Sequence, residues 1–255
     1  MPRFAANLGW LFTEHPFLDR FAAASAAGFK AVEFASPYEH PAEAIAERLE
    51  RHRVRCILFN LPLGDKSKGD FGIACRPGRE EEFREGVARG IAYAKALRCT
   101  QINCIAGRIF EGEDRADLEA RLVTNLRFAA REFKAAGIEL VVEPLNDKDN
   151  PNFLVPRSAQ MAEIIAQVGE PNVGLQCDIY HTVKMGDDPA ATLETLFPVI
   201  RHVQFADAPG RGEPGTGRID LPGLFALLDR LGYDGWLSAE YRPSLQTEET
   251  LYWLS

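Results

Sequence analysis

Three acidic residues and one glutamine close, or nearly close, short apolar runs in the second half of the chain. Glu143 ends VVE, Asp178 ends LQCD, Gln204 lies within HVQFAD and Glu240 ends WLSAE. Together they offer three carboxylates and an amide oxygen. Such hard-oxygen donors suit Mg²⁺ or Mn²⁺ better than a structural zinc, so the expected cofactor is one divalent ion held by Glu143, Asp178, Gln204 and Glu240. A plainer reading competes: a carboxylate after a strand often caps the next helix, and Glu143 or Asp178 taken singly fits that role. Four such residues on successive runs favour one shared site.

Two further residues belong to the same neighbourhood. His181 stands three positions beyond Asp178 in DIYH, and a helical turn beginning there brings its ring back over Asp178. Arg211 lies in the glycine-rich GRGEPGTGRID and is the candidate partner for an anionic substrate group. Each has an ordinary alternative as a capping histidine or a solvated arginine. Asn60 and Asn103 also end apolar runs, where local backbone would satisfy them equally well.

These residues need elements that converge. Strand-like runs fall at 3–8, 30–35, 54–60, 100–106, 138–143, 173–178, 200–206 and 235–240, and segments of helical period separate them. Apolar faces recur at helical spacing, as in Phe17, Phe21 and Ala24, in Ile91, Ala94 and Leu97, or in Leu122, Leu126 and Ala129. Gly28, Gly137, Gly169 and Gly232 stand where helices should end before strands. Near-continuous apolar strands imply a parallel sheet covered on both faces, and eight βα units in 255 residues imply a single-domain (β/α)₈ TIM barrel spanning 1–255. A doubly wound open sheet is the alternative, but no glycine-rich phosphate loop follows the first strand. LQTEETLYWLS remains for a short last helix. In a barrel the active site lies at the carboxyl ends of the strands, where Glu143, Asp178 and Glu240 stand, with Gln204 one turn of the pleat short of its own strand end.

Composition narrows the partners. A net charge of −8 disfavours a phosphate backbone, and no apolar run approaches the roughly 18 residues of a membrane span. MPRFAANLGWLF lacks the pattern of a signal peptide, and five cysteines without CxxC spacing fit a reduced, cytoplasmic protein with buried thiols. Neither nucleic acid nor membrane is expected as a partner. A homo-oligomer is compatible with the barrel.

The segments MPRFAANL, GIACRPGREEEFREGV at 72–87, EPLN at 143–146, DIYH at 178–181, RGEPGTG at 211–217 and SAEYRP at 238–243 resemble the hydroxypyruvate isomerase family, within the xylose-isomerase-like barrels. The resemblance covers essentially the whole chain. It implies a metal on Glu143, Asp178, Gln204 and Glu240, with Glu143 and Glu240 as the proton-transferring pair. It also implies a small 2-oxo or hydroxy acid as substrate and interconversion of hydroxypyruvate with 2-hydroxy-3-oxopropanoate through an enediolate. Related sugar epimerases usually carry histidine where Gln204 stands, so a ketose 3-epimerase is a weaker alternative than a 2-oxo-tetronate isomerase. The AP endonucleases of the same superfamily use a histidine-rich three-zinc cluster that five scattered histidines do not reproduce. A non-catalytic small-molecule binder remains open, because fold does not fix function.

Overall fold

The computed structural model describes residues 2–254. Eight parallel strands run β1 (Arg3–Asn7), β2 (Ala31–Phe34), β3 (Arg55–Asn60), β4 (Gln101–Cys104), β5 (Glu139–Val142), β6 (Val173–Asp178), β7 (Ile200–Phe205) and β8 (Trp236–Ala239). They form a closed barrel in chain order, sealed by β1 against β8 from Arg3↔Trp236 to Ala6↔Ala239. Closure excludes the open-sheet alternative. β2 and β6 are buried along their whole length, as strands enclosed on both faces must be.

The helices are α1 (Arg20–Ala26), α2 (Ala42–His52), α3 (Glu80–Leu97), α4 (Arg115–Ala135), α5 (Ser158–Val168), α6 (Ile179–Lys184), α7 (Pro189–Leu196) and α8 (Leu221–Leu231). Each longer one buries a stripe at helical spacing, such as Leu118, Leu122, Leu126, Ala129 and Phe133 of α4. Gly169 and Gly232 end α5 and α8 at φ 70° and 81°, in the left-handed region where glycine has no Cβ penalty. No helix among the described residues is long and apolar enough to cross a membrane.

The last segment departs from expectation. Instead of an α-helix it makes two 3₁₀ turns, Thr247–Thr250 and Tyr252–Leu254. Tertiary bonds account for this: Thr247 Oγ1 accepts the Phe12 N–H at 2.7 Å, Thr250 Oγ1 pairs with the Tyr241 hydroxyl at 2.9 Å, and Trp253 packs edge-on to Phe4 and Phe205. A continuous helix would give up the threonine contacts.

The loop from β7 to α8 carries Arg211, and one buried carboxylate organises it. Asp207 accepts N–H bonds from Ala208 (2.8 Å), Gly215 (3.0 Å), Gly217 (2.8 Å) and Ile219 (3.0 Å). Gly217 comes so close that an added Cβ would lie 2.1 Å from the Ala208 carbonyl oxygen. Glu213 fastens the same loop to the segment after β8 through the Ser244 N–H and hydroxyl. Asp207→Ala strips the carboxylate acceptor from four N–H groups, a loss of about 3 kcal/mol or more. The expected fall in Tm is roughly 6–12 °C for a chain of this size, measured by calorimetry. An unchanged Tm would show that water replaces the carboxylate without cost.

Candidate functional site

Barrel closure brings the carboxyl ends of β5, β6 and β8 to one mouth. Glu143 and Glu240 are the first residues beyond β5 and β8, and Asp178 is the last of β6. Asp178 takes the capping role weighed from the sequence, with Oδ1 accepting the Tyr180 N–H of α6 at 2.8 Å, and this leaves Oδ2 toward Arg211 at the mouth. The turn of α6 carries His181 back over it, with Nε2 3.5 Å from Asp178 Oδ2 and 3.9 Å from Glu143 Oε1. Arg211 enters from the β7 loop. Its Nη2 lies 3.1 Å from Asp178 Oδ2 and 3.0 Å from Glu240 Oε2, and its guanidinium is flanked by the Trp10 and Tyr180 rings at 4.4 and 4.8 Å. A cavity of about 660 Å³ opens above, lined by Glu143, His181, Arg211 and Glu240 among others. A larger groove, about 920 Å³, runs between α7 and α8 without this set of buried carboxylates.

Burial controls the charges. It pushes the Glu143 carboxyl well above its usual range, helped by the negative charges of Glu240 and Asp178. Burial likewise raises Glu240 to about 8, even though Arg211 pulls it back. His181 is driven down to about 4, chiefly by burial, and is therefore neutral at physiological pH. Arg211 keeps its charge: burial opposes it, but the facing carboxylates of Glu240, Asp178 and Glu143 raise its pKa.

Gln204 stands beside Asp178 across the β6–β7 ladder, yet its amide is engaged inside the barrel. Its Nε2 donates to Glu33 Oε1 at 2.5 Å and its Oε1 accepts from Gln176 Nε2 at 2.6 Å. Glu33 also receives Asn7 Nδ2 at 2.8 Å and contacts His202 Nε2 at 2.6 Å. Ligation by Gln204 would require its oxygen to leave Gln176. Asn103 has a larger part than local satisfaction, since its Nδ2 donates to Glu143 Oε2 at 3.0 Å and to Asn60 Oδ1 at 3.1 Å. Sequence reasoning missed Trp10, Tyr180, Glu33 and Asn146. A glutamate inside the apolar run KAVEFA was the one legible sign of the Glu33 network.

The donor set fits a divalent cation. Carboxylate oxygens of Glu143 and Asp178 lie within 4.8 Å of one another in buried positions, and His181 closes the group at the same range without being needed as a ligand. Glu240 Oε2 receives no hydrogen bond although it is buried, because Arg211 stands near it but out of line. Three carboxylates facing one guanidinium leave room for more positive charge.

A model of the xylose isomerase-like TIM barrel family matches residues 21–255. A hydroxypyruvate isomerase from Escherichia coli (strain K12) is 43% identical over 254 residues, covering 100% of this chain and 98% of its own length. A 2-oxo-tetronate isomerase from Cupriavidus necator is 42% identical over the same shares of the two chains. Among solved structures, a crystal structure named AP endonuclease, family 2, from Brucella melitensis superposes with a TM-score of 0.97 at 41% identity, covering 100% of this chain and 98% of that one.

The geometry makes Arg211 the local counter-charge. Arg211→Ala leaves Asp178 and Glu240 buried without it and should cost about 3–5 kcal/mol in urea unfolding of metal-free protein. Adding Asp178→Asn removes the stranded carboxylate nearest the lost guanidinium and should recover about 1 kcal/mol or more. Simple additivity of the two changes would show that the residues do not feel each other.

Proposed function

The chain belongs to the xylose isomerase-like TIM barrel family, as a full-length relative of hydroxypyruvate and 2-oxo-tetronate isomerases, and is itself an isomerase; we propose that it interconverts hydroxypyruvate and 2-hydroxy-3-oxopropanoate. The observation that carries this reading is the carboxylate trio at the barrel mouth, buried Glu143 and Asp178 with part-buried Glu240, and Arg211 as counter-charge. Isomerising an α-hydroxy ketone requires a proton to leave C3 and another to reach C2, and carboxylates of raised proton affinity suit that exchange near neutral pH.

In the proposed scheme one ion, Mg²⁺ or Mn²⁺, is held by Glu143, Asp178, Gln204 and Glu240. When bound it supplies electrostatic stabilisation for the negative oxygens of an enediolate. The ionised carboxylate of Glu143 or Glu240 removes the C3 proton, the carboxylic acid of one of the two returns a proton to C2, and the proton of the C3 hydroxyl passes to the C2 oxygen as the carbonyl moves to C3. Arg211, charged and lining the cavity, would hold the substrate carboxylate with His181 beside it. All five cysteines are buried and free, which supports a reducing, cytoplasmic setting.

The 2-oxo-tetronate reading has a specific support in the relative from Cupriavidus necator, and the cavity has space for either acid. A DNA-cleaving reading is disfavoured by the charge of −8 and by His181 being the single histidine among the cavity-lining residues.

A panel of hydroxypyruvate, 2-oxo-tetronate, tagatose and fructose with the Mg²⁺-loaded protein separates these readings. Fastest turnover of hydroxypyruvate is expected; preference for 2-oxo-tetronate would replace the substrate, and ligand saturation without turnover would indicate a binding protein. Glu143→Gln and Glu240→Gln each keep an oxygen but lose the base. Each should lower kcat by about 10²–10⁴-fold with little change in KM. Reaction in deuterium oxide should place deuterium at C2 of the product, whereas full retention of the substrate hydrogen would favour hydride transfer. Mn²⁺-soaked crystals should show an anomalous peak among the four proposed ligand oxygens, and a peak at a cysteine would overturn the metal site.

A further inference from the structure

We propose that Asn146 is a positioning residue: by donating two N–H groups to Nδ1 of His181 it holds the imidazole as the Nε2–H tautomer, so that His181 serves the cleft as a hydrogen-bond donor and not as a metal ligand. The inference rests on reading the barrel mouth as the isomerase site.

Asn146 is fully buried, and its amide has only one orientation that satisfies its neighbours. Oδ1 accepts the backbone N–H groups of Lys148 (3.1 Å) and Asp149 (2.9 Å), while Nδ2 donates to Asp149 Oδ2 at 3.1 Å. A turned amide would set Nδ2 against two N–H groups and Oδ1 against a carboxylate. Nδ2 also lies 2.6 Å from His181 Nδ1, and the Asn146 backbone N–H points at the same atom from 3.3 Å. A proton on Nδ1 would face two donors. The neutral ring therefore carries its proton on Nε2.

A neutral imidazole ligates a cation through the nitrogen that lacks the proton, and here that nitrogen is turned into the protein. On the cleft side the Nε2–H faces Asp178 Oδ2 at 3.5 Å, to which Arg211 Nη2 also donates at 3.1 Å, and Arg211 Nη1, 3.3 Å from Nε2, makes no hydrogen bond to it in this tautomer and stays free to donate into the cleft. Two adjacent donors select a substrate oxygen that only accepts, a carbonyl or carboxylate, over a hydroxyl. Asp149 steadies the platform by accepting the Tyr180 hydroxyl at 2.7 Å and pairing with Lys184 Nζ at 3.3 Å.

The test is ¹⁵N NMR of the full chain with labelled histidine near neutral pH, with His181 assigned by its absence from the His181→Gln spectrum. The expected result is an unprotonated Nδ1 and a protonated Nε2, both unchanged by saturating Mg²⁺. In Asn146→Asp a carboxylate oxygen replaces Nδ2, and the Nδ1 resonance should move to the N–H position. A proton on Nδ1 in the unsubstituted chain, loss of the Nε2 proton on adding Mg²⁺, or an unaltered spectrum in folded Asn146→Asp would each overturn the proposal. If that variant does not fold, the unsubstituted spectra with and without Mg²⁺ still decide. Failure of every 2-oxo acid in the turnover assay would remove the isomerase reading while leaving the tautomer result standing.

Discussion

Mutual repulsion among three buried carboxylates is the constraint on which the site depends. Glu143, Asp178 and Glu240 come from three different strand ends; the first two are almost wholly removed from water and Glu240 largely so. Burying each charge costs several kcal/mol even after relaxation, so the arrangement is unstable unless positive charge is held against it. Arg211 supplies part of that charge, and its own burial between Trp10 and Tyr180 is sustained by the carboxylates it faces. Proton uptake relieves the rest, since burial and mutual repulsion drive Glu143 and Glu240 toward their neutral forms. The loop that delivers Arg211 is correspondingly stiff, with Asp207 gathering four of its N–H groups and Glu213 tying it to Ser244.

The barrel was legible because its signals are local. Strand runs of four to six residues recur eight times, with amphipathic helices between them and glycines at positive φ after several, and each can be read without knowing its spatial neighbours. Glu143, Asp178 and Glu240 were legible for the same reason, since the end of a strand is a local position that the fold converts into a place at the mouth. The hydrogen bonds of those residues were not. Asn103 reaches Glu143 across 40 residues and Glu33 reaches His202 across 169, separations that no periodicity encodes. The last segment misled for a related reason, because Thr247 and Thr250 answer to Phe12 and Tyr241 and not to their own neighbours in a helix.

Inside the barrel the usual apolar packing is replaced near the mouth by a polar layer of Asn7, Glu33, Gln176, His202 and Gln204. Glu33 is the charge in that layer. Burial disfavours its ionised form, but His202 and the amides of Gln204 and Asn7 keep its pKa below the ordinary range, so it stays ionised. Its charge then adds to the repulsion felt by Glu143 and Glu240 and raises the proton affinity of both. A neutral residue at position 33 would relax that repulsion and also release the Gln204 amide. The negative charge below the site thus does two things through one side chain: it orients the amide beside Asp178, and it biases the carboxyls above toward holding a proton. Such coupling explains why a costly charge sits where an aliphatic side chain would pack with less penalty.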